Sequence, residues 1–592
     1  MRSILAALAP LALTWPLTSL AVAADSTPLS PSEAAAEIDR LVDAELDVLD
    51  VTPAKRVDED VLLRRLGLDL AGQVPSSTQA ALFALDRSPS RLDRAIDELL
   101  ASESYGDRWA RYWAAAIFTR STNPRPVVGY KRNLETWLAD ELNAGTGWDA
   151  IVTELLSAIG DAETTPQTAL LMAHAGQPEE VAGEVSRLFM GVQISCAQCH
   201  DHPFDRWTMR EFHEFAAFFP RVQLRPRRDN GPILFTVQSF TGRSQRPDPA
   251  QFFAFADRNR DGYVSQDEAN GQIRQAFRYL VRVGDRDDDG RLTLDEIKNA
   301  PLPPMQTGQG AAEHRMPNLS DPTDLGEVMD PTLFGTGDGI AAGTTDLERR
   351  LAAAAFVTSP ENVWFARAVV NRYWNELVGE GFYVPVDDLG PDREPALPGV
   401  VDVLADGFVA SGYDLRWLLG TIARTESYAR GVSPDNADLA IAAAAGAAPT
   451  RLRGDQLFDR LGNVLGIEER DARSRRTTTE REFVADLFGA DPSTSKTDLT
   501  AGIPQALFLM NAEGLEKLID TRGRNEIAAV VREAENMTEA VERLYDHILG
   551  RLPTDAERRL LRQHLKAEAN SETAIEDIAW ALLNSAEFLS RD

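Results

Sequence analysis

The chain has 592 residues, 43% of them hydrophobic, enough to build cores in about three or four domains. Acidic side chains outnumber basic ones 92 to 61, for a formal charge of −31. That balance lacks the basic footprint that phosphate binding needs, so it argues against nucleic acid as a partner and favours divalent cations.

The N-terminus reads as an export signal. Arg2 supplies a positive start, the run from Ile4 to Leu20 is apolar but carries Pro10 and Pro16, and Ala21-Val22-Ala23 is an A-x-A cleavage site. Residues 1–23 are therefore expected to be removed, leaving a secreted or periplasmic protein; no other segment is long and apolar enough to span a bilayer. The following stretch is helical in pattern. Leu92, Ile96, Leu99 and Leu100 form an apolar stripe after a Ser90 start, and Trp109 and Trp113 stand one turn apart.

The run VAGEVSRLFMGVQ, again helix-like, leads into CAQCHDHPFDRW, which contains the chain's 2 cysteines. Cys196, Cys199 and His200 fit the C-x-x-C-H frame of c-type haem attachment, in which two thiolates bond the haem vinyl groups and the histidine is an axial iron ligand. Met209, His213, His174, Met305 and Met316 are candidates for a sixth ligand. Two alternatives stay open. Cys196 and Cys199 could close as a disulfide, as an oxidising compartment favours, or the cysteines could join Asp201, His202 and Asp205 in another metal site.

A loop-rich break, RPRRDNGP, and a strand-like run, ILFTVQSF at 233–240, precede the strongest signal in the chain. DRNRDGYVSQDE places Asp257, Asn259, Asp261, Tyr263, Ser265 and Glu268 at positions 1, 3, 5, 7, 9 and 12 of an EF-hand loop, with Gly262 at position 6. DRDDDGRLTLDE repeats the register with Asp285, Asp287, Asp289, Arg291, Thr293 and Glu296 around Gly290. Carboxylate or amide oxygens at 1, 3 and 5, a backbone carbonyl at 7 and a bidentate glutamate at 12 are what a hard divalent ion requires, so two calcium sites are expected. Val264 and Leu292, at position 8, are placed to pack between paired loops. Only 16 residues separate Glu268 from Asp285, so a single continuous or sharply bent helix is expected between the loops.

Residues 301–345 are rich in Pro and Gly and read as a linker to a C-terminal helical domain over 346–592, where Ile575, Ile578, Ala579, Leu582 and Leu583 mark a late helix. The basic run Arg473–Arg476 reads as a solvated face, and Asp387 and Asp388 as capping or loop residues. No nucleophile elbow, HExxH or phosphate-binding glycine loop is present.

Three stretches, RRLGLDLAGQVPSSTQ, IDELLASESYGDRWARYW and VSRLFMGVQISCAQCHDHPFDRWT, resemble the uncharacterised domain found beside planctomycete cytochrome c domains. TSPENVWFARAVVNRYWNELVGEGFYVPVDDLG, FVASGYDLRWLLGTIARTESYAR, IPQALFLMN, LYDHILGRLPTDAE and WALLNSAEFL resemble its C-terminal companion domain. The resemblance implies association with cytochromes but no established activity. The expectation is a mainly α, multidomain protein: a helical domain at 24–225, an EF-hand pair at 245–300, the linker and a second helical domain. Functionally it reads as an extracytoplasmic calcium-binding protein with haem c and a redox partner at CAQCH; a calcium-stabilised scaffold without haem and an extracellular enzyme are the alternatives.

Overall fold

The computed structural model describes residues 29–592 apart from 124–127, 228–233, 241–248, 270–272, 301–312, 322–323, 325, 342–343, 432–438, 447–450, 468–479, 490, 495–501, 512–516, 569 and 592. The expected signal at 1–23, Met305 and the Arg473–Arg476 run lie outside the described residues. The described chain is mainly helical, with little strand.

Local signals start and stop the helices. Ser30 with Glu33, Ser76 with Gln79, Thr208 with Glu211 and Thr345 with Glu348 form capping boxes that satisfy the first free amides. Gly72 and Gly191 end their helices in the left-handed conformation that costs glycine least. The Ser90 start holds, for the helix Arg91–Ala101 buries Ile96 and Leu100. Trp109 and Trp113 are both buried on Glu103–Phe118. Trp113 stacks on Trp148 at 4.1 Å between centroids and donates its indole N–H to Tyr373 at 3.0 Å.

Tyr373 belongs to the second helical half, and that contact is representative. The core does not respect the expected separation of 24–225 from 346–592: one hydrophobic cluster runs from Ala34 to Ala445. Helix Pro31–Val48 packs its Ile38, Val42 and Leu46 stripe against Pro398–Ala410 and Leu415–Arg424, while Pro178–Met190 packs on Val363–Val378. Each half thus supplies the apolar surface that the other must cover. A second cluster, from Leu452 to Phe588 together with Leu68, contains the Ser571–Leu583 helix, so the break between cores falls near residue 450.

The expected strand appears as Leu234–Ser239, the centre of a three-stranded antiparallel sheet between Gly160–Asp161 and Val222–Arg227, with Leu224 opposite Val237. The reading of 301–345 as a linker is corrected over its described part. Residues 314–316 and 327–329 pair as short antiparallel strands, His314 is fully buried and Phe334 enters the main core. These side chains anchor this strap, although its Pro and Gly content resembles that of a free connector.

Residues 249–300 form a separate module around Ala256, Val264, Ala269, Phe277, Leu292 and Ile297. Its helices are Pro249–Ala256, Ile273–Gly284 and Leu294–Asn299. The single helix Ile273–Gly284 occupies the short connector, preceded by a turn at 266–268.

Candidate functional site

The two acidic loops adopt the same internal hydrogen bonding at equivalent positions. In the first, Asp257 accepts from the amides of Asp261 and Gly262 at 3.2 Å, and in the second Asp285 accepts from Asp289 at 3.3 Å and Gly290 at 2.8 Å. Position 5 accepts from the amide of position 7 in both, Asp261 from Tyr263 at 2.9 Å and Asp289 from Arg291 at 2.8 Å. The closing glutamates fold back likewise: Glu268 accepts from the Arg258 and Asn259 amides and from the Ser265 hydroxyl, Glu296 from the Arg286 amide and the Thr293 hydroxyl. Ser265 and Thr293 therefore hold the glutamates.

Gly262 and Gly290 have φ of 88° and 75°, and Arg260 and Asp288 are also left-handed, so both loops make the same sharp turn. Val264 and Leu292 exchange two backbone hydrogen bonds, of 2.9 and 3.0 Å, and are both fully buried, which ties the loops back to back.

Carboxylates crowd most in the second loop. Oxygens of Asp285, Asp287 and Asp289 lie within 4.8 Å of one another, the one such group of His, Cys, Asp or Glu ligand atoms among the described residues. Desolvation, then the neighbouring Asp289 and Glu296 carboxylates, push the Asp287 carboxyl up. Glu296, held by the Thr293 amide, is kept below its ordinary range. Hard oxygen donors of this number and charge suit calcium.

At CAQCH, Cys196 lies in the 3₁₀ turn Ser195–Gln198 and Cys199 follows it; both are exposed free thiols. His200 is exposed with Nδ1 2.7 Å from the Asp201 carbonyl, which only accepts, so Nδ1 carries the proton and Nε2 is open. Asp201 accepts from the Met209 amide at 2.9 Å, and His202 Nδ1 accepts from the Phe204 amide at 3.3 Å. The cysteines, His200, His202 and Asp205 do not converge as a metal set.

Two free thiols and an open Nε2 are the groups that covalent haem attachment uses. The inward side of the turn is filled, however, by Ile194, Ala197 and Trp207, each at most 1% exposed, and Phe204 points out at 87% exposure. His213 is committed elsewhere: its Nε2 donates to the Gln198 carbonyl at 3.0 Å and its Nδ1 accepts from His314 Nε2 at 2.8 Å. His174 is buried beside the Glu184–Arg187 pair, and Met316 lies in a strand of the strap. The residues supply anchorage, but both thiols and His200 are exposed on a turn whose inner residues are already packed, which does not fit a buried haem.

The sequence reading missed a buried ionic network. Arg187 donates to Glu184 at 3.0 Å, to Asp387 at 2.5 Å and to Ser493 at 2.7 Å, while Arg372, over the Trp113 ring, also pairs with Asp387. All four charged groups are at most 7% exposed. The sequence carried no signal of it: Glu180, Glu184 and Arg187 recur at i, i+4 and i+7 on the helix Pro178–Met190 and read as a solvated stripe, yet Glu184 and Arg187 are buried. Asp388, by contrast, pairs with Arg393 at the surface.

Residues 37–224 match the family PSCyt2, a protein of unknown function (DUF1549), and residues 349–482 match PSD1, a protein of unknown function (DUF1553). No curated protein and no solved structure matches the chain. The matched segments are the two halves that share the main core, and the paired acidic loops lie between them. The chain thus carries a PSCyt2 domain followed by a PSD1 domain, two domains found in planctomycete-type proteins.

Proposed function

We propose that this is an extracytoplasmic calcium-binding protein in which the loops 257–268 and 285–296 form an EF-hand-type pair. The observation that carries the reading is the repeat itself: two loops with oxygen ligands at the same positions, the same backbone turn, and the Val264–Leu292 pairing that couples them. The ions serve a structural purpose. Among the described residues the module's own core cluster has six buried apolar side chains, too few to hold several carboxylates together against their repulsion, and calcium outside the cell is seldom the switched quantity. The ion-fixed module and the helical platform together form a scaffold.

Calorimetric titration of calcium into the chelator-stripped full chain tests the proposal. Two binding steps are expected, with Kd on the order of 10⁻⁴ to 10⁻³ M for extracellular modules. Heats indistinguishable from dilution up to 10 mM would remove the calcium reading. Export rests on the Ile4–Leu20 run and Ala21-Val22-Ala23. Sequencing the N-terminus of protein recovered outside the cytoplasm should give Ala24 as the first residue.

A further inference from the structure

Cys196 and Cys199 are held in a way that points to chemistry independent of calcium. Cys196 lies in the 3₁₀ turn Ser195–Gln198 and Cys199, three residues on, caps it with right-handed backbone, a one-turn spacing that sets the two cysteines on the same side; both are exposed free thiols. The turn beneath them is rigidly anchored. His213 donates to the Gln198 carbonyl between the two cysteines and is itself fixed by His314. Ala197 is fully buried, and Ser195 lies so close to Gly183 that a Cβ there would stand 2.5 Å from Ser195 Oγ. On the outer rim, Phe204 is an apolar contact for an approaching partner, and the open Nε2 of His200 follows Cys199 directly. A packed core thus presents two thiols outward.

We propose that Cys196 and Cys199 are a redox-active dithiol that exchanges with exposed disulfides. One thiolate attacks a sulfur of a partner R–S–S–R′, forming a protein–S–S–R bond and expelling R′S⁻. The second thiolate attacks the protein sulfur of that mixed disulfide, expels RS⁻ and closes the Cys196–Cys199 bond. Two electrons pass from the protein to the partner, and the two protons lost by the cysteines are taken up by the two released thiolates. The reverse sequence oxidises a partner dithiol.

The test uses the full chain with calcium present, equilibrated in glutathione buffers of stepped reduced-to-oxidised ratio and then alkylated with a mass tag. The tag count should fall from two to zero in one two-electron transition, and Cys199→Ser or Cys196→Ser should stop at a glutathione mixed disulfide. A parallel arm offers the reduced chain a disulfide-bonded protein, insulin; faster reaction there than with oxidised glutathione assigns a protein partner, and the opposite order a small-molecule one. Two tags retained at every ratio would overturn the proposal. So would a haemochrome spectrum showing haem bonded to both cysteines in protein isolated from cells with haem-attachment machinery.

Discussion

Asp387 and Asp388 are adjacent and chemically identical, yet removing them should have very different consequences. Asp387 is 2% exposed and is the shared acceptor of Arg187 and Arg372, which are 4% and 0% exposed. Asp387→Ala leaves both guanidiniums in the core. Arg187 keeps Glu184, whereas Arg372 loses its carboxylate partner and keeps neutral contacts, a 3.4 Å one to Ser493, the Tyr112 hydroxyl and the Trp113 face. Breaking a buried pair in this way costs about 3–5 kcal/mol, because an uncompensated charge stays out of water. Asp388 pairs with an Arg393 side chain that is 41% exposed, so Asp388→Ala should cost at most about 1 kcal/mol. Urea unfolding followed by tryptophan fluorescence reads the difference, since Trp113 lies against Arg372 in the main core. Pairing Asp387→Ala with Arg372→Met should recover part of the loss by removing the stranded charge. Equal destabilisation by both single alanine variants, or no recovery in the double variant, would show that the network is not a desolvated pair.

For calcium, loop one offers three carboxylates, Asp257, Asp261 and Glu268, and loop two offers four, Asp285, Asp287, Asp289 and Glu296, so loop two is expected to fill first. In titration calorimetry Glu296→Gln should weaken the first step by roughly tenfold or more, and Glu268→Gln the second; loss of the tighter step in Glu268→Gln would mean that the short connector sets the order. Since an ion present at about 100 times its Kd adds about 2.7 kcal/mol, chelation should open the module to trypsin at Arg258, Arg274 and Arg278 while the main core stays resistant. Uniform digestion of the whole chain on chelation would contradict a separately folded module. His213 and His314 are buried as neutral rings; burial, then its neighbour His213, takes His314 down to about 3, and burial lowers His213. Because their folded pKa values lie below the unfolded value of about 6.5, the stability they contribute is complete above that pH and is lost as the pH falls; for His314 the loss runs at about 1.4 kcal/mol per unit down to about 3. The decline in Tm between pH 7 and 5 should therefore be shallower in His314→Phe than in the parent chain, and parallel profiles would refute the assignment.

Much of the helical framework was legible because its cause is local. Apolar stripes at 3.6-residue spacing and a Ser90 start depend on residues near one another in sequence, and each stands where the pattern put it. What shares a core with what was not legible. The stripe Ile38, Val42 and Leu46 announces a partner but not which one, and the partner helices lie more than three hundred residues away. The strap at 313–341 was hidden for a related reason: composition reports the average freedom of a segment, whereas docking is decided by a few particular side chains, among them the buried His314 and Phe334 and the Glu313 carboxylate paired with Arg221 and Arg349.

The candidate site divides along the same line. The proposed calcium ligation rests on one short register, so its candidate residues can be named position by position from the sequence. At CAQCH the spacing named the reactive groups, but the choice among haem, metal and dithiol depends on what surrounds them. His213 illustrates the gap. As one histidine near a C-x-x-C-H frame it looks like an axial ligand, and only His314, 101 residues onward, shows that its second nitrogen is already taken and that its first supports the backbone between the cysteines. A ring with both nitrogens bonded cannot ligate iron without giving up a buried hydrogen bond, at about 1–3 kcal/mol for the group left unpaired. The same two bonds hold the turn still with its thiols outward, so His213 favours dithiol chemistry over haem through its commitment to the backbone.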